Sequence, residues 1–215
     1  MSLPDPFVLV ARAPVIPVVV IEQVEDAVPL ARALVDGGLP LIEVTLRTPV
    51  ALDAIRRMVG EVEGAIVGAG TITRQADVEH ALKAGAAYLV SPGTTRAFAQ
   101  ALVEAPVPVL PGCATVSEAM VLSDLGFKVL KFFPAEAAGG APFLKSIAGP
   151  LPDLRFCPTG GIGPANVGSY LALPNVVAVG GSWVVPLDVI RAGEFAKVRT
   201  LAAAAAALPR AVRFI

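Results

Sequence analysis

The chain has 215 residues, of which 55% are apolar and 16% charged, and its formal net charge at pH 7 is −1. This length is enough for one domain with a substantial core, and the near-zero charge gives no electrostatic basis for binding nucleic acid or an anionic membrane surface. The longest apolar runs, at 14–21 and 201–208, have eight residues each. A bilayer span needs roughly 18, so we expect neither a nucleic-acid nor a membrane partner.

Short β-like runs alternate with helix-like segments along the whole chain. The runs are rich in Val, Ile or Leu, and most are bounded by Gly or Pro, which is typical of parallel strands covered on both faces. The predicted strands are Val15–Ile21, Leu39–Leu46, Ala65–Ala69, Ala87–Ser91, Val107–Leu110, Lys128–Phe132, Arg155–Pro158 and Val176–Val179.

The helix-like segments between these strands carry recognisable caps and stops. They are residues 4–13 as a short leading helix, Glu22–Val35 before Gly37 and Gly38, a segment from the N-cap Thr48 and Pro49 to Gly60, Thr73–Ala84 before Gly85, a segment from the capping box of Thr115 and Glu118 to Gly126, and an alanine-rich terminal helix at Leu201–Leu208.

Eight strands alternating with about eight helices predict an α/β fold, a single (β/α)8 TIM barrel with a short N-terminal helix. An open doubly wound sheet is the alternative. It usually has fewer strands and a glycine-rich first turn, whereas the first βα junction here (21–24) contains no glycine. No linker or low-complexity segment divides the chain, so we predict one domain over residues 1–215.

The chain start lacks the cationic residues and apolar core of a signal peptide, and we expect a cytoplasmic protein. Cys113 and Cys157 are too few and too far apart for a disulfide scaffold or a zinc site, so we expect two buried thiols. The one histidine, His80, falls on a predicted exposed helix. Without clustered carboxylates we predict no metal site and no cofactor.

Lys131 is the most informative single residue, because it ends an almost wholly apolar strand and barrel enzymes carry their function at strand ends. One interpretation is a lysine whose stem packs while its amine reaches water, as suits Lys128. The other is a desolvated amine that attacks a carbonyl. Glu43, flanked by apolar residues, is expected either to pair with Arg47 or Lys131 or to act as a general acid–base, and the two roles are compatible.

Arg47 shares strand parity with Glu43, so both side chains point into the barrel mouth if the strand extends that far. A guanidinium there is suited to a substrate carboxylate. At the ends of strands 7 and 8, the backbone N–H groups of Gly160, Gly161, Gly181 and Ser182 can form an anion nest. The loops after these strands are a frequent phosphate site in barrels.

Five stretches match a known family in order and spacing. EVTLRT (43–48), VGAGT (67–71), KFFPAE (131–136), FCPTGGI (156–162) and GGSW (180–183) together resemble the 2-keto-3-deoxy-6-phosphogluconate (KDPG) aldolases, a family that also includes 4-hydroxy-2-oxoglutarate (KHG) aldolase activity. The resemblance covers nearly the whole chain. Ala114 departs from it, because a hydroxyl residue is expected at that position.

The resemblance implies a (β/α)8 fold, usually a homotrimer, and a metal-independent lyase that reversibly splits a phosphorylated 2-keto acid into pyruvate and glyceraldehyde 3-phosphate. Carried over residue by residue, it assigns Lys131 as the Schiff-base lysine and Glu43 as the general acid–base. It places Arg47 and Thr71 on the pyruvate carboxylate. The phosphate and distal end falls to Thr159, Gly160, Gly161 and Ser182, and the pocket walls to Pro92 and Phe133.

Two other functions stay open. The chain could prefer the non-phosphorylated substrate KHG, and hydroxyls at Thr159 and Ser182 favour the phosphorylated one. A non-catalytic barrel that binds phospho-sugars is the alternative from another class. Loss of Lys131 or Glu43 would have indicated it, and both are present.

Overall fold

The computed structural model describes residue 3 and residues 5–211. Its strands are β1 (Val15–Val19), β2 (Leu41–Thr45), β3 (Ile66–Gly70), β4 (Leu89–Val90), β5 (Val109–Leu110), β6 (Gly112–Cys113), β7 (Val129–Phe132), β8 (Arg155–Pro158) and β9 (Val179–Gly181). Its α-helices are α1 (Phe7–Val10), α2 (Ala27–Asp36), α3 (Ala51–Glu61), α4 (Gln75–Lys83), α5 (Arg96–Val103), α6 (Val116–Asp124), α7 (Gly140–Ile147), α8 (Val167–Leu171), α9 (Leu187–Arg191) and α10 (Phe195–Ala206).

The strands form a curled parallel sheet of six, in the order β5-β4-β3-β2-β1-β9, and a parallel sheet of three, β6-β7-β8. One residue, Pro111, separates β5 from β6, and its carbonyl accepts a hydrogen bond from the Lys131 amide at 3.0 Å. Every connection that the β-ladders define is parallel, with helices between successive strands, which confirms the predicted α/β class.

The side chains of the sheet alternate between two cores. One large cluster joins outward-facing strand residues to the helices, as with Val19, Val44 and Val67. A smaller cluster inside the curl contains Leu41 and Val129. Because alternate strand residues share a face, the residues two positions further along β2 and β7 face the inside of the curl. Those residues are Glu43 and Lys131.

Several predicted boundaries are wrong, although each of the predicted elements named here has a counterpart. The predicted strand Val176–Val179 begins only at Val179, and Val176 contributes one isolated bridge to Phe156. The predicted strand Leu39–Leu46 ends at Thr45. The predicted helix Glu22–Val35 begins at Ala27 after a 3-10 turn at Val24–Asp26.

The predicted caps divide into one success and one error. Thr115 accepts from the amide of Glu118, whose carboxylate accepts in turn from the Thr115 amide, so the capping box is confirmed. Thr48 does not cap α3, since Val50 occupies the N-cap position. The Thr48 hydroxyl instead donates to the carbonyl of Ile21 at 2.6 Å. Among the described helices, none combines the length and apolarity that crossing a membrane requires.

Candidate active site

The centre of the site is a buried ion pair that joins the six-stranded sheet to the three-stranded sheet. Lys131 Nζ, from β7, lies 3.1 Å from Glu43 Oε1, from β2, and the two side chains are 5% and 4% exposed. The other ion pairs of the described residues lie at the surface, for example Arg57 with Glu61. A pair this dry is costly to form unless its geometry is good. The short contact between the two buried side chains therefore holds the Lys131 amine and the Glu43 carboxylate next to each other.

Glycines make the room that the carboxylate needs. Gly70 ends β3 and pairs in register with Thr45 of β2. A Cβ on Gly70 would collide with Glu43 Oε1 and would lie 2.7 Å from its Cγ and 2.8 Å from its Cδ. Gly68, the register partner of Glu43, would collide in the same way with the ring of Tyr88. Before the structure, these glycines were known only as part of the stretch VGAGT (67–71), and their role as space for Glu43 was missed.

Arg47 and Thr71 lie beside each other after the ends of β2 and β3. Arg47 Nε donates to Thr71 Oγ1 at 3.3 Å. The extension of β2 to Arg47, on which the predicted direction of its side chain depended, does not occur. The Arg47 amide instead donates to the carbonyl of Thr45 at 2.8 Å. Thr71 has φ +62°. This is a costly conformation for a β-branched residue, and such backbone strain clusters at functional sites.

A cavity of about 140 Å³ opens next to this pair of residues. It is lined by Val18, Val20, Arg47, Phe133, Thr159, Gly160, Gly161, Ile162, Gly180 and Ser182. Six of these ten are residues that the sequence analysis selected. The four others are three apolar residues and Gly180. Val18 shares strand parity with the inward-facing Ile16, so its position was available from the pattern of β1.

The lining also distinguishes the two glycines at the end of β9. Gly180 faces the cavity, with its α-carbon against the Thr159 hydroxyl, and it pairs by an isolated bridge with Thr159. Gly181, which the sequence analysis selected, packs its α-carbon on the ring of Trp183 instead. The alternation of side chains along the strand accounts for this difference.

Phe133 connects the buried ion pair to the cavity. Its ring centroid lies 5.4 Å from Lys131 Nζ, and the residue also lines the cavity wall. Pro92 lies one strand away, where its backbone packs on the α-carbon of Gly112, the register partner of Lys131. The cavity therefore has an arginine at one side and a glycine loop at the other, and Phe133 links its wall to the buried pair of Lys131 and Glu43.

The interior around the ion pair is strongly desolvated. Burial raises the pKa of the Cys157 thiol to about 12, with Glu43 adding to the effect. Burial likewise raises the pKa of the Cys113 thiol to about 12, and it raises the pKa of Tyr88 well above its ordinary value. Both cysteines are free, buried thiols, as expected. At neutral pH both thiols are therefore protonated.

The described residues contain no group of three or more His, Cys, Asp or Glu side chains arranged to hold a metal ion. His80 lies on α4 and is exposed, which matches the expected helix position.

Comparison with known proteins identifies relatives over almost the whole chain. The model of the family described as "KDPG and KHG aldolase" matches residues 8–201. The "KHG/KDPG aldolase" of Escherichia coli (strain K12) is 50% identical over 194 residues, which are 90% of this chain and 91% of that protein. The "2-dehydro-3-deoxy-phosphogluconate aldolase" of Zymomonas mobilis is 49% identical over 199 residues, or 93% and 94% of the two chains.

Solved structures agree with these matches. The crystal structure of KDPG aldolase from Legionella pneumophila superimposes with a TM-score of 0.92 at 44% identity, covering 94% of this chain and 98% of that one. That crystal contains pyruvate captured as a covalent carbinolamine intermediate.

Proposed function

The chain belongs to the KDPG and KHG aldolase family, and from that premise we propose that it is a Schiff-base aldolase that reversibly cleaves KDPG to pyruvate and glyceraldehyde 3-phosphate. The observation that carries the proposal is the buried contact of 3.1 Å between Lys131 Nζ and Glu43 Oε1, which Phe133 connects to the cavity wall. The pair combines a nucleophile with a proton carrier at hydrogen-bond distance.

The first step forms a bond between Lys131 Nζ and the keto carbon, C2, of the substrate. Counted from the ammonium of the ion pair, Glu43 relays two protons in turn from the attacking nitrogen to the keto oxygen, which leaves as water; the third stays on nitrogen, so the carbinolamine becomes a protonated imine. The carbinolamine of pyruvate in the Legionella enzyme supports covalent chemistry of this kind in the family.

The imine then draws electrons from the bond between C3 and C4. Removal of the proton from the C4 hydroxyl breaks that bond and releases the aldehyde, and the electron pair forms an enamine of pyruvate. Glu43 is the proton acceptor in this proposal. Protonation at C3 and hydrolysis of the imine release pyruvate and restore Lys131.

Substrate binding divides between two ends of the cavity. Arg47 and Thr71, joined by their 3.3 Å hydrogen bond, hold the carboxylate, for which the guanidinium offers a planar pair of donors. The phosphate falls to the loops after β8 and β9, at Thr159, Gly160, Gly161, Gly181 and Ser182, with the side chain of Phe133 and the backbone of Pro92 as walls. Contact of Gly160, Gly161 and Ser182 with the same cavity supports this assignment.

Borohydride reduction tests the nucleophile. With pyruvate present, reduction should add a stable mass to the peptide that contains Lys131 and to no other lysine peptide. Lys128 provides the matched control, because it is an exposed lysine three residues earlier. Lys128→Met should still be labelled, and Lys131→Met should not. Cleavage that continues in Lys131→Met would contradict the proposal.

Metal independence is a further part of the proposal. It is supported by the ion pair, since a protonated imine provides the electron sink that a metal ion supplies in other aldolases. Incubation with EDTA should leave the rate of pyruvate release unchanged, and strong inhibition that added metal reverses would contradict it.

KHG is the second candidate substrate, supported by the name of the Escherichia coli relative, "KHG/KDPG aldolase". It shares the pyruvate half of the molecule but has no phosphate. Comparing kcat/KM on KDPG and KHG by coupled detection of pyruvate separates the two, and we expect KDPG to be the better substrate. A non-catalytic phospho-sugar-binding barrel is the remaining alternative, and detectable cleavage of either substrate excludes it.

Three structural expectations accompany the function. We propose that the two sheets close into one eight-stranded barrel and one domain. Only Pro111 separates β5 from β6. On the other side, two isolated bridges, Phe156–Val176 and Thr159–Gly180, link β8 and the residue after it to β9 and the segment before it. A homotrimer and a cytoplasmic location stay predictions. The two free thiols support a reducing compartment.

A further inference from the structure

The glycine loop at the distal end of the cavity is held by side chains that lie outside it. We propose that Glu136 and Tyr170 are positioning residues that fix this loop for phosphate binding. The inference rests on the proposed function, because it assumes that the loop of Gly160 and Gly161 receives the substrate phosphate.

The loop requires external support because both of its glycines have positive φ. Gly160 has φ +103° and Gly161 has φ +75°. Glycine reaches these values without steric cost, but it also reaches many others, so the directions of its N–H groups are not fixed by the residue itself. Donors bind a phosphate well only when they are already oriented.

One support comes from the segment after β7. The amide of Ala135 donates to the Thr159 carbonyl at 2.8 Å, and the amide of Glu136 donates to the Gly160 carbonyl at 3.1 Å. The stem of Glu136 also covers the α-carbon of Gly161, where an added Cβ would lie 2.8 Å from Glu136 Cβ and 2.7 Å from its Cγ. Glu136 thus contacts both glycines, one by its backbone and one by its side chain.

The Glu136 side chain is itself exposed, and among the residues that the structure describes its carboxylate has one hydrogen-bond partner. The hydroxyl of Tyr170, on α8, donates to Glu136 Oε1. Tyr170 is fully buried, and burial together with the Glu136 carboxylate raises the pKa of its phenol, so it remains a donor. A buried, rigid residue therefore holds the side chain that covers Gly161.

The start of α8 supports the other side of the same loop. Asn166 Nδ2 donates to the Gly161 carbonyl at 3.0 Å, and Asn166 Oδ1 accepts from the Gly163 amide at 2.8 Å. Gly161 is therefore tied to α8 twice, directly through Asn166 and indirectly through Glu136 and Tyr170. Loss of the second tie leaves the loop attached but free to rotate.

Glu136 supports the loop through the hydrogen bond that its side-chain oxygen accepts, and its negative charge is not needed for this. A carboxylate beside a phosphate site repels the ligand, whereas an amide oxygen accepts the same hydrogen bond from Tyr170 without a charge. Glu136→Gln should therefore behave like the native enzyme or bind phosphorylated substrate more tightly. Glu136→Ala and Tyr170→Phe should both release the loop.

The experiment compares steady-state kinetics on KDPG and KHG for the same enzyme preparations. Tyr170→Phe and Glu136→Ala should each raise KM for KDPG roughly tenfold, as the loss of one hydrogen bond to a charged group implies. Both variants should leave kcat on KDPG and kcat/KM on KHG within about twofold, because the reacting atoms lie at the other end of the cavity. Glu136→Gln should leave KM for KDPG at or below the native value.

Glu79→Ala is the matched control for Glu136→Ala, since Glu79 is an exposed glutamate on α4. The inference would be overturned if Tyr170→Phe left the ratio of KM for KDPG to KM for KHG at its native value. Equal losses of kcat/KM on both substrates would also overturn it, because they indicate a general structural role. Failure of the proposed function has a different signature. In that case the native enzyme itself shows no preference for KDPG over KHG and no competition by inorganic phosphate.

Discussion

Replacing Lys131 by methionine should destabilise the protein as well as abolish its chemistry. The substitution keeps most of the side-chain volume but removes the ammonium that neutralises Glu43. Because the glutamate side chain is only 4% exposed, water cannot take over that role, and the carboxylate is left as an unpaired buried charge. Breaking a buried pair in this way typically costs about 3–5 kcal/mol, which is a large part of the roughly 5–15 kcal/mol that stabilises a domain.

The double variant Lys131→Met/Glu43→Gln separates this charge effect from lost packing. With the carboxylate replaced by a neutral amide of the same shape, no unpaired charge remains, and we expect the double variant to regain at least about 2 kcal/mol over Lys131→Met alone.

Urea denaturation at one fixed protein concentration measures these differences, followed by the fluorescence of Trp183, the one tryptophan of the chain. Lys128→Met is the control and should lie within about 0.5 kcal/mol of the native protein, since Lys128 is exposed. A Lys131→Met variant as stable as the native chain at pH 7 would refute the reasoning, because the pair would then not be dry.

Three further substitutions test the packing around the pair. Gly70→Ala should lower kcat about a hundredfold by displacing Glu43, whereas Gly60→Ala, which meets nothing within 4 Å, should leave activity intact; equal activities would contradict the close fit. Tyr88→Phe should raise the free energy of unfolding by about 1 kcal/mol in urea, because the buried Tyr88 hydroxyl has no partner among the described residues; a loss would contradict it. The Cys157 thiol, with its pKa raised to about 12, stays protonated when folded but ionises near pH 9 when unfolded, so its contribution is complete below pH 9 and falls as the pH rises. Native protein should therefore lose about 1.4 kcal/mol more than Cys157→Ala between pH 8 and 10, and parallel pH profiles would refute this.

The alternation of strands and helices was predictable because each parallel strand buries both faces and reads as an apolar run. The residues at which helices begin were harder to predict. The segment predicted to begin at Glu22 begins at Ala27, and Pro29 carried the information, since a proline fits the first turn of a helix but not its interior.

Thr48 illustrates a different limit. Its position before Pro49 fits a local cap, and the rules for caps are local. In the fold its hydroxyl donates to Ile21, at the end of a neighbouring strand, and Thr45 donates in the same way to the carbonyl of Val19 at 2.9 Å. Both hydroxyls satisfy carbonyls far away in the sequence, so the competition that decides their orientation is visible only once β1 and β2 are adjacent.

The same contrast divides the candidate site. Glu43 and Lys131 could be predicted because a strand has a period of two, so parity alone assigns each side chain to a face. Gly70 could not be understood from its own strand, because its role depends on which residue β2 places opposite. A signal was nevertheless present: Gly68 and Gly70 have the same parity, so beyond Ile66 β3 offers no side chain on the face where Tyr88 and Glu43 lie. Two glycines spaced by two in an otherwise apolar strand therefore predict that a large or charged side chain from a neighbouring strand occupies that face, and this rule identifies a site residue by the space reserved for it.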